Sequence, residues 1–146
     1  MSDISFADLG LAKEVLEAVQ KAGYEVPSPI QQQAIPALLK GKNLLGTAQT
    51  GTGKTAAFSL PLLSTLNFSH STPAMLVLTP TRELSIQVAE AIQSFAIAMP
   101  KIRALAIYGG QDINVQLKAL KRNISIVVAT PGRLLDHIRR GSISLA

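Results

Sequence analysis

Ala48-Gln49-Thr50-Gly51-Thr52-Gly53-Lys54-Thr55 has the residue types and spacing to hold a polyphosphate. The apolar run ending at Asn43 to Gly46 reads as the end of a buried strand, and the residues from Lys54 onward read as a helix. Between them the glycines let the backbone curl until successive N–H groups point inward, and the positive end of the helix dipole faces the same hollow. Lys54 would place an ammonium on the β- and γ-phosphates and Thr55 would offer its hydroxyl to magnesium, which makes these the candidate catalytic residues and Thr55 the candidate metal ligand. The pattern departs from its usual form at Ala48, where glycine is customary; alanine is small enough for the turn. A glycine-rich stretch between a strand and a helix can also be only a turn, but here the Gly-Lys-Thr spacing and both flanks favour phosphate. Such a loop serves kinases, transporters, motors and helicases alike, so it does not fix the reaction.

Further along, polar turns follow apolar runs. Pro80-Thr81-Arg82-Glu83-Leu84 follows Ala74 to Leu78, Gly109-Gly110 follows Arg103 to Tyr108, and Thr130-Pro131-Gly132-Arg133 follows Ile124 to Ala129. Each could be a helix start or a plain turn. Together they set hydroxyls, a close backbone approach and guanidiniums at successive strand ends, which suits the sugar-phosphate track of a nucleic acid without reading its bases. Gln31 carries a donor and an acceptor that match the N6 and N7 edge of adenine, with Tyr24 and Phe6 as candidate faces for the base. His70 and His137 have no evident partner, and neither receives a role.

The elements that must position these residues alternate along the chain. Leu11, Val15 and Val19 recur at helical spacing before Gly23. A second helix is expected from Ile30 to Lys40, ending at Gly41, and a third after the phosphate loop, kinked or ended by Pro61. Helices are expected near 82–98, 112–122 and up to about Arg139. Strands apolar on both sides and separated by helices imply an α/β fold with a parallel sheet covered on both faces. In such sheets ligands bind beyond the carboxyl ends of the strands, where the phosphate loop and all the later turns would fall.

The 146 residues amount to about one domain, and an apolar share of 47% is enough for a core, built from aliphatic rather than aromatic side chains. There is no cysteine, hence no disulfide or thiolate metal site, which suits the cytoplasm. No signal peptide is evident and no apolar run approaches a membrane span, so no membrane partner is expected. The net charge of +5 is uneven: residues 1–100 carry six basic and seven acidic side chains, and residues 101–146 carry eight against two. A basic segment is the footprint of a nucleic-acid partner, or an ordinary solvated surface.

Taken in order, these residues resemble a known family. Phe6 and Tyr24-Glu25-Val26-Pro27-Ser28-Pro29-Ile30-Gln31 resemble the glutamine motif of the DEAD-box RNA helicases. Ala48 to Thr55 is similar to their motif I, and Pro80 to Leu84, Gly109-Gly110 and Thr130 to Arg133 to their motifs Ia, GG and Ib. The resemblance covers essentially the whole chain and is nearest to bacterial members of the cold-shock type. It implies a RecA-like N-terminal lobe that binds ATP and magnesium through Phe6, Tyr24, Gln31 and the loop from Ala48 to Thr55. It also implies that Pro80, Thr81, Arg82, Gly109, Gly110, Thr130, Pro131, Gly132 and Arg133 face an RNA backbone, single-stranded or duplex.

The family's Asp-Glu-Ala-Asp and Ser-Ala-Thr motifs do not occur in the sequence, nor does anything of the second lobe. Phosphoryl transfer to water needs a carboxylate beside magnesium, and the later apolar runs end in Thr79, Tyr108 and Thr130. The chain is therefore expected to be a partial lobe, 1–146, that needs the C-terminal lobe of the same protein. Alone it is expected to be catalytically incompetent and marginally stable or self-associating. A different P-loop NTPase would need neither Gln31 nor the basic turns. A non-catalytic nucleic-acid-binding module would need no nucleotide.

Overall fold

The computed structural model describes residues 4–46, 53–66 and 73–143. The chain divides into two units, Met1–Leu66 with Ser94–Met99, and Asn67–Gln93 with Pro100–Ala146.

In the first unit a short 3-10 helix, Phe6–Leu9, precedes α1 (Lys13–Lys21), α2 (Pro29–Leu39) and α3 (Lys54–Thr65). Ser28 starts α2 with a capping box: its side chain accepts from the Gln31 N–H while the Gln31 side chain accepts from the Ser28 N–H, and Pro29 supplies a preset first turn. Val15, Val19, Ile35, Leu60 and Leu63 are buried and form the core of this unit. Two expectations change. Asn43 to Gly46 is not a strand, and Leu45 is 94% exposed. A strand needs a hydrogen-bonded neighbour, and no strand among the described residues pairs with this segment. Of the two outcomes expected at Pro61, a kink or an end, the end does not occur, since α3 runs on to Thr65. Proline lacks the N–H that would bond four residues back. Its own carbonyl accepts from the Thr65 hydroxyl, and Leu60, Pro61 and Leu63 are all buried, so packing holds the turn against the local penalty.

The second unit follows the expected alternation: β1 (Met75–Leu78), α4 (Arg82–Phe95, whose last residues belong to the first unit), β2 (Ala104–Ile107), α5 (Ile113–Leu120), β3 (Ile126–Ala129) and α6 (Pro131–Arg140). The sheet has the order β1-β3-β2 and both pairings are parallel, with Met75 and Ala104 each opposite Ile126, and Leu78 and Ile107 each opposite Ala129. β3 is buried throughout, as a central parallel strand should be. β1 is not covered on both faces as expected, because Leu76 and Leu78 are exposed. Ile107, Ile124, Val127, Ala129, Leu134 and Ile143 form a core cluster, with Leu105 and Leu120 against it.

Replacing Ile107, which is fully buried in that cluster, by alanine should lower stability by about 2–5 kcal/mol. Leu45→Ala should stay within about 0.5 kcal/mol, since no packing is lost. Urea denaturation followed by circular dichroism distinguishes the two, and equal losses would contradict this packing.

Candidate functional site

In the first unit, Gly53 is the N-cap of α3 and adopts φ +86°, a backbone that side chains disfavour. Gly53 itself has no side chain to cap α3, and the positive end of the helix dipole lies at this end. Lys54 stands exposed at the first helical position, with Thr55 next to it. The Thr55 carbonyl accepts from the Ser59 hydroxyl at 2.6 Å. Ala48, Gln49, Thr50, Gly51 and Thr52 lie outside the described residues.

Gln31 is buried, 3% exposed, and clamps this helix start. Its Oε1 accepts from the Ser28 N–H at 2.9 Å and its Nε2 donates to the Gly53 carbonyl at 3.3 Å. A Cβ on Gly53 would run into the Gln31 carboxamide. Glycine at this position therefore permits both the left-handed turn and the close approach of the glutamine. One Nε2 proton and one Oε1 lone pair remain for other partners. Phe6 is buried and the half-exposed Tyr24 packs its ring edge against it, centroids 6.1 Å apart; Tyr24 also lies 6.0 Å from Phe95. A cavity of about 330 Å³ is lined by Ile30, Ala34, Leu44, Lys54 and Phe58.

In the second unit, the parallel sheet brings the three turns to one edge, since β1, β3 and β2 all end there. Thr79, just past β1, is buried and hydrogen-bonded to Ser85; Thr81 caps α4 by accepting from the Leu84 N–H at 3.2 Å. Pro80, Thr81 and Arg82 are exposed, as are Gly109, Gly110, Pro131 and Gly132. The Arg82 guanidinium lies over the Tyr108 ring, 5.1 Å from its centroid. Gly110 takes φ +91°, and a Cβ there would come within 3.8 Å of Arg82 Nη1. Thr130 begins α6 and Pro131 fills its first turn. Arg133, half-buried, donates from Nη1 to the Gln111 carbonyl at 2.9 Å and to Gln116 Oε1 at 3.1 Å.

Gln111, Gln116 and His137 were given no role from the sequence. Gln116 is 1% exposed and donates from Nε2 to the Tyr108 carbonyl and to Gln111 Oε1, both at 2.9 Å. His137 is fully buried, with Nε2 2.8 Å from Gln116 Oε1 and Nδ1 2.8 Å from Ser142 Oγ. Burial lowers its pKa from the ordinary histidine value; the nearby Arg133 charge acts in the same direction, Asp136 opposes and Arg140 reinforces. The usable signal was the spacing of Arg133 and His137, four residues apart and so on one face of a helix.

The described residues contain no cluster of acidic and histidine side chains able to hold a metal alone. Thr55 thus fits a magnesium ion only as one ligand beside the phosphates of a nucleotide. No helix among the described residues is long and apolar enough to cross a membrane.

A double-mutant cycle tests the Gln31–Gly53 clamp. Gly53→Ala should cost about 1–2 kcal/mol from the left-handed backbone alone, and more because of the collision. In a Gln31→Ala background the collision is gone, so the pair should couple by about 0.5 kcal/mol or more. Strict additivity would show that the contact is not there.

The family model described as DEAD/DEAH box helicase matches residues 28–145. The chain is 56% identical over 144 residues to the ATP-dependent RNA helicase DeaD of Escherichia coli K12, covering 99% of this chain and 23% of that protein. It is 54% identical over 143 residues to the DeaD helicase of Haemophilus influenzae, covering 98% of this chain and 23% of that one. Among solved structures, a DEAD box protein from the hyperthermophile Methanococcus jannaschii superposes with a TM-score of 0.88 at 44% identity, covering 97% of this chain and 38% of that one.

Proposed function

Because this chain belongs to the DEAD/DEAH box helicase family, we propose that it is the ATP- and RNA-binding N-terminal part of an ATP-dependent RNA helicase, acting with a C-terminal lobe of the same protein. The observation that carries this reading is the alignment of three strand-end turns on one sheet edge, two of them bearing the arginines Arg82 and Arg133.

Magnesium-bound ATP would supply a cleavable phosphoanhydride. Lys54 neutralises charge on its terminal phosphates, the first-turn amides of α3 hold them, and Thr55 contributes a hydroxyl to the ion. Gln31 fixes Gly53 and so the start of that helix, and its remaining donor and acceptor match the N6 and N7 edge of adenine. Tyr24, braced by Phe6, offers its exposed part to the base. On the other unit, Arg82, Thr81, Gly109, Gly110, Thr130, Gly132 and Arg133 hold successive phosphates and sugars. These contacts carry no base preference, which suits an enzyme that remodels RNA duplexes of many sequences.

Two measurements on the complete protein test this. Arg133→Ala and Arg82→Ala should each weaken RNA binding to a similar degree for unrelated sequences, and lower the slope of log affinity against log salt by about one. Loss confined to one RNA sequence would overturn the backbone assignment. Gln31→Ala should erode the preference for ATP over GTP by about tenfold, the worth of a hydrogen bond or two, in nucleotide competition. An unchanged preference would remove Gln31 from base recognition.

A further inference from the structure

We propose that Gln116 and His137 are positioning residues for RNA engagement, holding the Arg133 guanidinium and the Tyr108–Gln111 turn in a single frame. This inference rests on the reading that Arg133 touches the RNA backbone. Neither Gln116 nor His137 can itself touch a ligand, because both are buried.

The argument begins with the carboxamide of Gln116. Its Nε2 faces two carbonyl-type oxygens, Tyr108 O and Gln111 Oε1, so the nitrogen must sit on that side. Its Oε1 then faces Arg133 Nη1 and His137 Nε2, and both must donate. Nε2 therefore carries a proton, and in the neutral ring Nδ1 accepts from the Ser142 hydroxyl, which can turn instead to the His137 carbonyl at 3.1 Å. Flipping the Gln116 amide would set acceptor against acceptor at Tyr108 O and donor against donor at Arg133 and His137, so its orientation is fixed. No buried side-chain polar atom among the described residues is left without a partner.

This arrangement consumes a defined part of Arg133. Nη1 is held by Gln111 O and Gln116 Oε1, whereas Nε and Nη2 make no protein hydrogen bond among the described residues. Those are the donors a phosphate could take as a planar pair. The same glutamine anchors the Tyr108 carbonyl, and the Tyr108 ring carries the Arg82 guanidinium. One buried side chain therefore ties the turn that seats Arg82 to the side chain of Arg133. Without it, each arginine would have to be ordered by the RNA at an entropic cost.

Protonating His137 would add a charge to a buried site already facing Arg133 and Arg140 on α6, only partly offset by Asp136; α5 presents the neutral Gln116, and the turn after α6 presents Ser142. The folded pKa lies below the ordinary value of about 6.5. The neutral frame is thus fully favoured above that value and weakens as pH falls toward the folded pKa.

The test measures binding of a fluorescent oligouridylate by the complete protein carrying Gln116→Met, His137→Leu, His137→Gln or Arg133→Ala, with melting temperature and ATP affinity recorded for each. Gln116→Met and His137→Leu should weaken RNA binding about tenfold, the worth of one charge-assisted hydrogen bond, while ATP affinity holds. His137→Gln keeps a donor toward Gln116 and should restore most of the affinity. It should also remove the extra loss of binding that the unmodified protein shows as pH falls below about 6.5 toward the folded pKa of His137. Adding Gln116→Met to Arg133→Ala should cost less than Gln116→Met costs alone, because the share that acts through Arg133 is already lost. If Arg133→Ala binds RNA normally, the reading that Arg133 meets RNA fails. If Arg133→Ala weakens binding but Gln116→Met and His137→Leu do not, or if their losses simply add to it, the positioning role fails. Should Gln116→Met not fold, the pH profiles of the unmodified protein and His137→Gln decide alone, and identical profiles overturn the inference.

Discussion

The second unit depends on the parallel pairing of β3 with both of its neighbours. Because β1 and β2 align their carboxyl ends with that of β3, every following turn must emerge from one edge. An antiparallel neighbour would have sent its turn to the opposite edge. The burial of Ile126, Val127, Val128 and Ala129 makes the pairing costly to disturb, since a register slip would move apolar side chains out of the core. The helices that follow each strand then begin on the ligand-facing side, which places exposed first-turn residues such as Arg82 and Pro131 there.

The positions of the arginines rest on polar contacts beneath that edge. Gln116, His137 and Ser142 form a chain of hydrogen bonds, and the glutamine's distinct donor and acceptor ends set the direction of the bonds it makes itself. Buried polar groups cost free energy unless all are paired, so such a network tolerates few alternatives and rigidifies what it touches. Arg82 is held differently, by the face of an aromatic ring, which allows sliding but keeps the cation near the turn.

The first unit uses the same device at the phosphate loop. A glutamine on α2 closes its own capping box and reaches the carbonyl that starts α3. The helix whose amides would meet a polyphosphate is therefore tied to a neighbouring helix, and a glycine at φ +86° is what permits the contact. Gln31, proposed for base recognition, thus also fixes the start of α3.

Much of the second unit was legible in the sequence. The apolar runs ending at Leu78, Tyr108 and Ala129, each followed by a capping or glycine-rich turn, located the strands and the turns that follow them to within a residue or two. Period and cap chemistry are local, so they can be read locally. Asn43 to Gly46 could not be read this way, because a strand is defined by its partner and none is present among the described residues. Pro61 misled for a related reason: local propensity disfavours it within a helix, and burial of its neighbours outweighs that. Gln116 and His137 carry no motif, and only the packing of α5 against α6 brings their side chains together. What the sequence determined alone was the order of elements and the chemistry at their ends. The tertiary structure decided which buried polar atoms meet, because hydrogen bonds between residues 21 positions apart leave no periodic trace in the chain.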